Sequence, residues 1–118
     1  MENEQFELYY QPKISLLTKE MVGAEALIRW RHPKRGLLLP AEFLRQIENT
    51  ELDIKLGEWV TATALAQTHL WLGMGMEIEV AMNISGYHME SAGFVEKLQQ
   101  QLAAYHGMPH GKLQIEVL

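Results

Sequence analysis

Three residues with oxygen donors recur at related places in separate apolar segments: Glu25, Asn83 and Glu116. Successive side chains of a strand point to opposite faces, so residues of one parity share a face. Over residues 20–31 this puts Glu25, Leu27 and Arg29 on one face, and Ala24, Ala26, Ile28 and Trp30 on the other. Over 77–84 it groups Asn83 with Glu79 and Ala81, away from Ile78, Val80, Met82 and Ile84. Over 112–118, Gln114 and Glu116 oppose Leu113, Ile115 and Val117, and in 6–14 Gln11 opposes Tyr10 and Pro12. Each segment carries a polar residue near its C-terminal half. In a parallel α/β sheet or barrel, that edge is where ligands bind. Two carboxylates and an amide suit hard cations such as Mg²⁺ or Mn²⁺, which polarise phosphoryl oxygens and activate water. Arg29 adds a planar fork able to hold a phosphate. By alternation alone, the same residues also fit a solvated strand face.

Other residue types offer less. His106 and His110 are separated by Gly107 and Pro109, so they do not share a helical turn, and His69 and His88 stand alone. Packing or surface roles are the expectation for them. His32 precedes Pro33 and reads as a turn residue. Trp59 and Trp71 fit helix packing faces, and Trp30 lies on the face away from Glu25. Gly73-Met-Gly75 lacks the third glycine and the preceding strand of a nucleotide loop. Ser85 has no adjacent His or acid to activate it as a nucleophile.

The elements that must position these residues follow from periodicity. Aromatic and β-branched residues alternate over 6–14 and 20–31, with Ser15–Lys19 between them, which predicts two strands joined as a hairpin. Pro33 and Gly36 break the pattern, and Pro40 suits a first helical position, so a short helix is expected over 40–48. A second helix is expected over 51–72, with Leu52, Leu56, Val60 and Ala64 on one stripe and the Gly73–Gly75 segment ending it. Residues 77–84 predict a third strand. Ser91 could cap a helix over 92–106 whose stripe is Phe94, Val95, Leu98, Leu102 and Tyr105. Gly107–Gly111 reads as a turn and 112–118 as a fourth strand. Strands separated by helices imply parallel β-α-β units. The last apolar strand runs to Leu118 with nothing after it to cover it, as in the front part of something larger.

Length and composition bound the rest. The 118 residues allow one ordinary domain. Three Trp, four Tyr and three Phe exclude a disordered chain. A formal charge of −5 disfavours non-specific nucleic-acid binding, because phosphate contacts need a basic surface. The absence of Cys removes disulfide scaffolds, thiolate nucleophiles and zinc ribbons. Met1–Gln5 is acidic and polar, unlike a signal peptide, and the apolar runs are far shorter than the roughly 20 residues of a membrane helix. A cytoplasmic chain is expected.

A more specific match lies in the order of the motifs. Glu25-Ala-Leu27, continuing as Ile28-Arg29-Trp30-Arg-His-Pro33, resembles the signature of the EAL domain family of cyclic di-GMP phosphodiesterases. Tyr9-Tyr-Gln-Pro12 resembles that family's opening strand, and Pro40-Ala-Glu-Phe43 its first helix. Leu56-Gly-Glu-Trp-Val60 is similar to the next helix, Met82-Asn-Ile-Ser85 to the Asn-x-Ser strand, and Leu113-Gln-Ile-Glu-Val117 to the strand bearing a further metal-binding Glu. The resemblance implies an α/β fold, a (β/α)₈ TIM-like barrel whose first strand runs antiparallel to the rest. It implies Glu25, Asn83 and Glu116 as ligands of Mg²⁺ or Mn²⁺, with Glu25 catalytic. It also implies Gln11 and Arg29 as contacts of cyclic di-GMP, with Leu27 packing beside it. The implied reaction opens one phosphodiester to give linear pGpG with the help of two metal ions.

A barrel of this type takes about 250 residues, and this chain has 118. The family's Asp-Asp pair, its water-orienting Lys and its late glutamates have no counterpart here. The expectation is therefore an incomplete barrel: residues 1–118 as the N-terminal part of an EAL domain, inactive alone. Such a chain would self-associate or take a partner supplying the missing half. The alternatives are a non-catalytic module that binds cyclic di-GMP or a protein, and a truncated product without independent activity.

Overall fold

A computed structural model describes residues 6–105 and 113–117. The expectations for Met1–Gln5, His106, the Gly107–Gly111 turn, His110, Lys112 and Leu118 lie outside the described residues. The hairpin forms as expected: β1 (Phe6–Ile14) pairs antiparallel with β2 (Met21–His32), setting Gln11 directly opposite Glu25 and Tyr9 opposite Leu27. Its tip closes on Ser15, whose Oγ accepts from the backbone N–H of Leu17 and Thr18, while Lys19 turns the chain at φ 61°. A short strand β3 (Gly36–Leu38) folds back on the end of β2, pairing Trp30 with Leu38. The sequence reading had only a break there, because three residues are too few to show a period.

Helix α1 (Pro40–Ile47) starts with Pro40 at its first turn, and the Glu42 carboxylate accepts from Leu39 N–H at 3.0 Å. This satisfies a donor that a helix start leaves unpaired. Helix α2 (Glu51–Gly73) buries Leu56, Val60, Ala64 and Leu65, with Val60 and Ala64 set against the sheet. Its two buried hydroxyls stay paired within the helix, Thr61 to Gly57 O at 2.8 Å and Thr68 to Ala64 O at 2.7 Å. Leu52, placed on the same stripe by the sequence reading, is 43% exposed at the first turn, before the helix meets the sheet.

Strand β4 (Glu79–Ile84) then runs parallel to β2, and β5 (Leu113–Val117) runs parallel to β4. The sheet order is β1-β2-β4-β5. At Gly23 the backbone of β4 comes close to β2: a Cβ there would lie 2.8 Å from Glu79 O. One face, with Ala24, Ala26, Val80, Met82 and Ile84, packs on Val60 and Ala64 of α2 to form the core. A second cluster, Leu38, Phe43 and Leu56, closes the top with Phe6 stacked on Trp30 at 5.8 Å.

Between β4 and β5 the structure corrects the sequence reading. The predicted helix over 92–106 is α4 (Phe94–Ala103), and a one-turn helix α3 (Gly86–Met89) precedes it. Ser91 does not cap α4. Its Oγ donates to His88 O, and α4 begins instead at Gly93 in the left-handed region. Ser85 is the capping residue, its Oγ accepting His88 N–H at 3.0 Å. The expected α4 stripe is only partly covered: Val95 is 58% and Leu102 40% exposed. Among the described residues, no helix is long and apolar enough to cross a membrane.

Candidate functional site

The face of the sheet turned away from α2 carries the residues that the sequence picked out. The hairpin register puts Gln11 beside Glu25, the β2–β4 register puts Glu25 beside Ala81, and the β4–β5 register puts Asn83 beside Glu116. Gln11, Glu25, Asn83 and Glu116 thus share one sheet face, with the Asn83–Glu116 pair stepped two residues beyond the Gln11–Glu25 pair. On that face, Asn83 Nδ2 donates to Glu25 Oε2 at 3.1 Å, a contact between residues 58 apart in sequence. Glu25 and Asn83 are half-buried, while Gln11 and Glu116 are exposed. Lower on the same face, Gln114 hydrogen-bonds the Glu79 carboxylate, tying β5 to β4. With its Nδ2 committed to Glu25, Asn83 keeps a carbonyl oxygen as a hard donor, and Glu25 keeps a second carboxylate oxygen.

Arg29 stands two residues beyond Leu27, nearer the strand's C-terminal end. Glu7 is its direct cross-strand neighbour, but that carboxylate is gripped by both Nε and Nη2 of Arg31, at 2.7–3.0 Å. Arg29 instead donates to Ile28 O at 2.9 Å and rests over the Tyr9 ring, 5.6 Å from its centroid. Among the described residues it has no carboxylate partner, so its charge remains available to an anion. Tyr9 is the contributor that sequence reasoning missed. Its parity with Gln11 could have revealed it, since the two share the hairpin face.

Where the C-terminal ends of β2 and β4 meet α1 and the start of α2, a cleft of about 390 Å³ opens. Leu27 and Asn83 line it from the sheet, Pro40 and Leu44 from α1, and Ser85 and Tyr87 from the turn after β4. Leu27 thus lies between these polar residues and an apolar wall. His32 is structural, as its place before Pro33 suggested: its Nδ1 accepts from Lys34 and Arg35 N–H, both at 3.1 Å.

The EAL domain model matches residues 1–118. The chain belongs to the EAL domain family. Its relatives include MucR of Pseudomonas aeruginosa, named a bifunctional diguanylate cyclase/cyclic di-GMP phosphodiesterase. That protein is 38% identical over 118 residues, spanning 99% of this chain and 17% of MucR. The cyclic di-GMP phosphodiesterase PdeR of Escherichia coli is 36% identical over 102 residues, 86% of this chain and 15% of that protein. Among solved structures, the MucR phosphodiesterase in complex with c-di-GMP superposes with a TM-score of 0.90 at 38% identity, covering 98% of this chain and 47% of the other. The EAL enzyme Bd1971, bound to cAMP and cyclic di-GMP, gives 0.83 at 31% identity, covering 98% of this chain and 33% of the other. The fold is thus the TIM-barrel-like α/β fold of EAL domains. This chain spans less than half of the solved EAL chain that it matches at 0.90 and about a sixth of the curated relatives.

Proposed function

We propose that these residues form part of the substrate and metal site of a cyclic di-GMP phosphodiesterase domain. The observation that carries the reading is the Glu25–Asn83 contact on a sheet face that also holds Gln11 and Glu116. It supports Glu25, Asn83 and Glu116 as ligands of Mg²⁺ or Mn²⁺, because the donor set is all oxygen and mixes carboxylates with a neutral amide. A divalent cation bound there supplies Lewis-acid polarisation of a phosphoryl oxygen and lowers the pKa of water. Gln11, across from Glu25, hydrogen-bonds the dinucleotide. Arg29 holds a phosphate with its planar fork and keeps its aim by resting on Tyr9. Leu27 packs against a base at the mouth of the cleft. The reaction is hydrolysis of one phosphodiester of cyclic di-GMP to linear pGpG, in a bacterial cytoplasmic setting.

In this reading, in-line hydrolysis needs ligands on both sides of the attacking water, and these residues supply one side. Residues 1–118 alone are therefore inactive, and another part of the domain completes the site. Strand β5 forms an edge of the described sheet, and edges with open backbone groups pair with other chains. The isolated chain self-associates through it, or accepts a partner that supplies the missing half-barrel. Light scattering after size exclusion should show assemblies larger than 13.5 kDa; a sharp monomer peak would refute that part. The catalytic reading is tested by exchanging residues 1–118 for the matching segment of the MucR phosphodiesterase domain. The chimera should convert cyclic di-GMP to pGpG with Mg²⁺ or Mn²⁺, and Glu25→Ala should abolish turnover. Undiminished turnover by Glu25→Ala would remove Glu25 from the chemistry.

A further inference from the structure

His88 belongs to no part of the site above, yet it is 4% exposed and its Nδ1 is buried without a hydrogen-bond partner among the described residues. Its ring lies on the bare backbone of Gly57 in α2, where a Cβ would stand 2.2 Å from Nδ1. The Phe94 ring of α4 meets it edge-on, with centroids 5.1 Å apart and planes at 86°. The backbone of His88 is held just as closely: its N–H goes to Ser85 Oγ at 3.0 Å, and its carbonyl accepts from Ser91 Oγ and Ser91 N–H. The imidazole is therefore the wedge that seats α3 on α2. Helix α3 in turn is the direct continuation of β4, beginning three residues after Asn83, and Ser85, Gly86 and Tyr87 form a wall of the cleft.

We propose that His88 is a pH-sensitive latch: its neutral ring holds α3, and with it the cleft wall and the end of β4, against α2, and its protonation releases them. A second proton would put an N–H donor at Nδ1 against Gly57 with no acceptor, and an unpaired buried donor is costly. Burial pushes the imidazole below its ordinary pKa, against a smaller upward pull from Glu58 and Asp53. Among the described residues, those two α2 carboxylates are the charged groups acting on the ring. Lys97 of α4 lies 3.9 Å from Glu58 and draws part of that charge away. Below the ~6.5 of a free imidazole, the unfolded chain takes up a proton that the latched state refuses, so the latched state loses stability as pH falls.

The latch is a property of the fold and stands or falls without the phosphodiesterase reading. Histidine-labelled and amide-labelled chain is followed by NMR between about pH 8 and about pH 5, with His88→Gln used to assign the His88 ring signal. The expected result is a His88 midpoint below ~6.5, with the amides of Ser85–Met89 shifting at that same midpoint. In His88→Gln those amides should hold still across the window. A His88 midpoint at or above ~6.5, or Ser85–Met89 amides that ignore its titration, would overturn the latch. If His88→Gln does not fold, the wild-type titration decides alone, because the remaining His signals are separated by their own single substitutions.

Discussion

Asn83 Nδ2 donates to Glu25 Oε2 at 3.1 Å, joining adjacent parallel strands by their side chains as well as their backbones. A neutral donor facing a carboxylate at that distance is favourable; a second carboxylate there would not be. Asn83→Asp should therefore destabilise the metal-free chain by about 1–2 kcal/mol through like-charge repulsion. Millimolar Mn²⁺ should reverse the loss, because a cation between the two carboxylates converts repulsion to shared coordination. Urea denaturation with and without Mn²⁺ checks this, and a deficit that Mn²⁺ leaves untouched would argue against a cation at the pair.

The pairing of β2 with β4 that creates this contact depends on Gly23. Because a Cβ there would sit 2.8 Å from Glu79 O, Gly23→Ala must push the strands apart. The expected cost is about 1–3 kcal/mol, the range for overpacking against backbone. Unfolding of the variant should start at lower urea than the wild type; equal midpoints would show that the strands shift freely.

Lys19 holds a φ of 61° at the hairpin tip. A side chain in that region costs about 1–2 kcal/mol, and glycine gives back part of that relief through its freer unfolded state. Lys19→Gly should stabilise the chain by roughly 0.5–1 kcal/mol, read as a higher thermal midpoint with Ser15–Glu20 amide signals otherwise unchanged.

Tyr10 sits on the core face with its ring edge-on to Trp71 at 5.1 Å, and its hydroxyl is buried without a partner among the described residues. Burial pushes that phenol up to about 12. Removing the oxygen discards a desolvation penalty and keeps the ring contact, so Tyr10→Phe should be neutral or stabilising by up to about 1 kcal/mol. A clear loss of stability would mean that the hydroxyl does have a partner in solution.

The sequence was most legible where a long period coincided with a punctuating residue. Alternation through FELYYQPKI and its partner strand placed the hairpin within a residue, and Pro40 and Gly73 bracketed the first two helices. The polar residues were legible for the same reason, since parity alone put Gln11, Glu25, Asn83 and Glu116 on strand faces. That they share one face of one sheet depends on register, which parity within a single strand does not contain. The segment after β4 was misread because Ser85 and Ser91 are both plausible caps. The short helix, whose single turn has no period to detect, is capped by Ser85, while Ser91 donates to His88 O and α4 is capped by Gly93. Burial of His88 was illegible because the space it fills comes from a missing Cβ at Gly57, 31 positions away in the chain. Tyr9 escaped notice because its value lies in what rests on it.

In the proposed reading, Glu25, Asn83 and Glu116 hold a divalent cation on the sheet face that they share. Crystals of the MucR chimera carrying residues 1–118, grown with Mn²⁺ and cyclic di-GMP, test it through the anomalous scattering of manganese. The expected result is a manganese peak within about 2.0–2.4 Å of oxygens of Glu25, Asn83 and Glu116, with a phosphate of the dinucleotide on Arg29. Manganese bound elsewhere, with those three side chains more than ~4 Å from any metal peak, would contradict it.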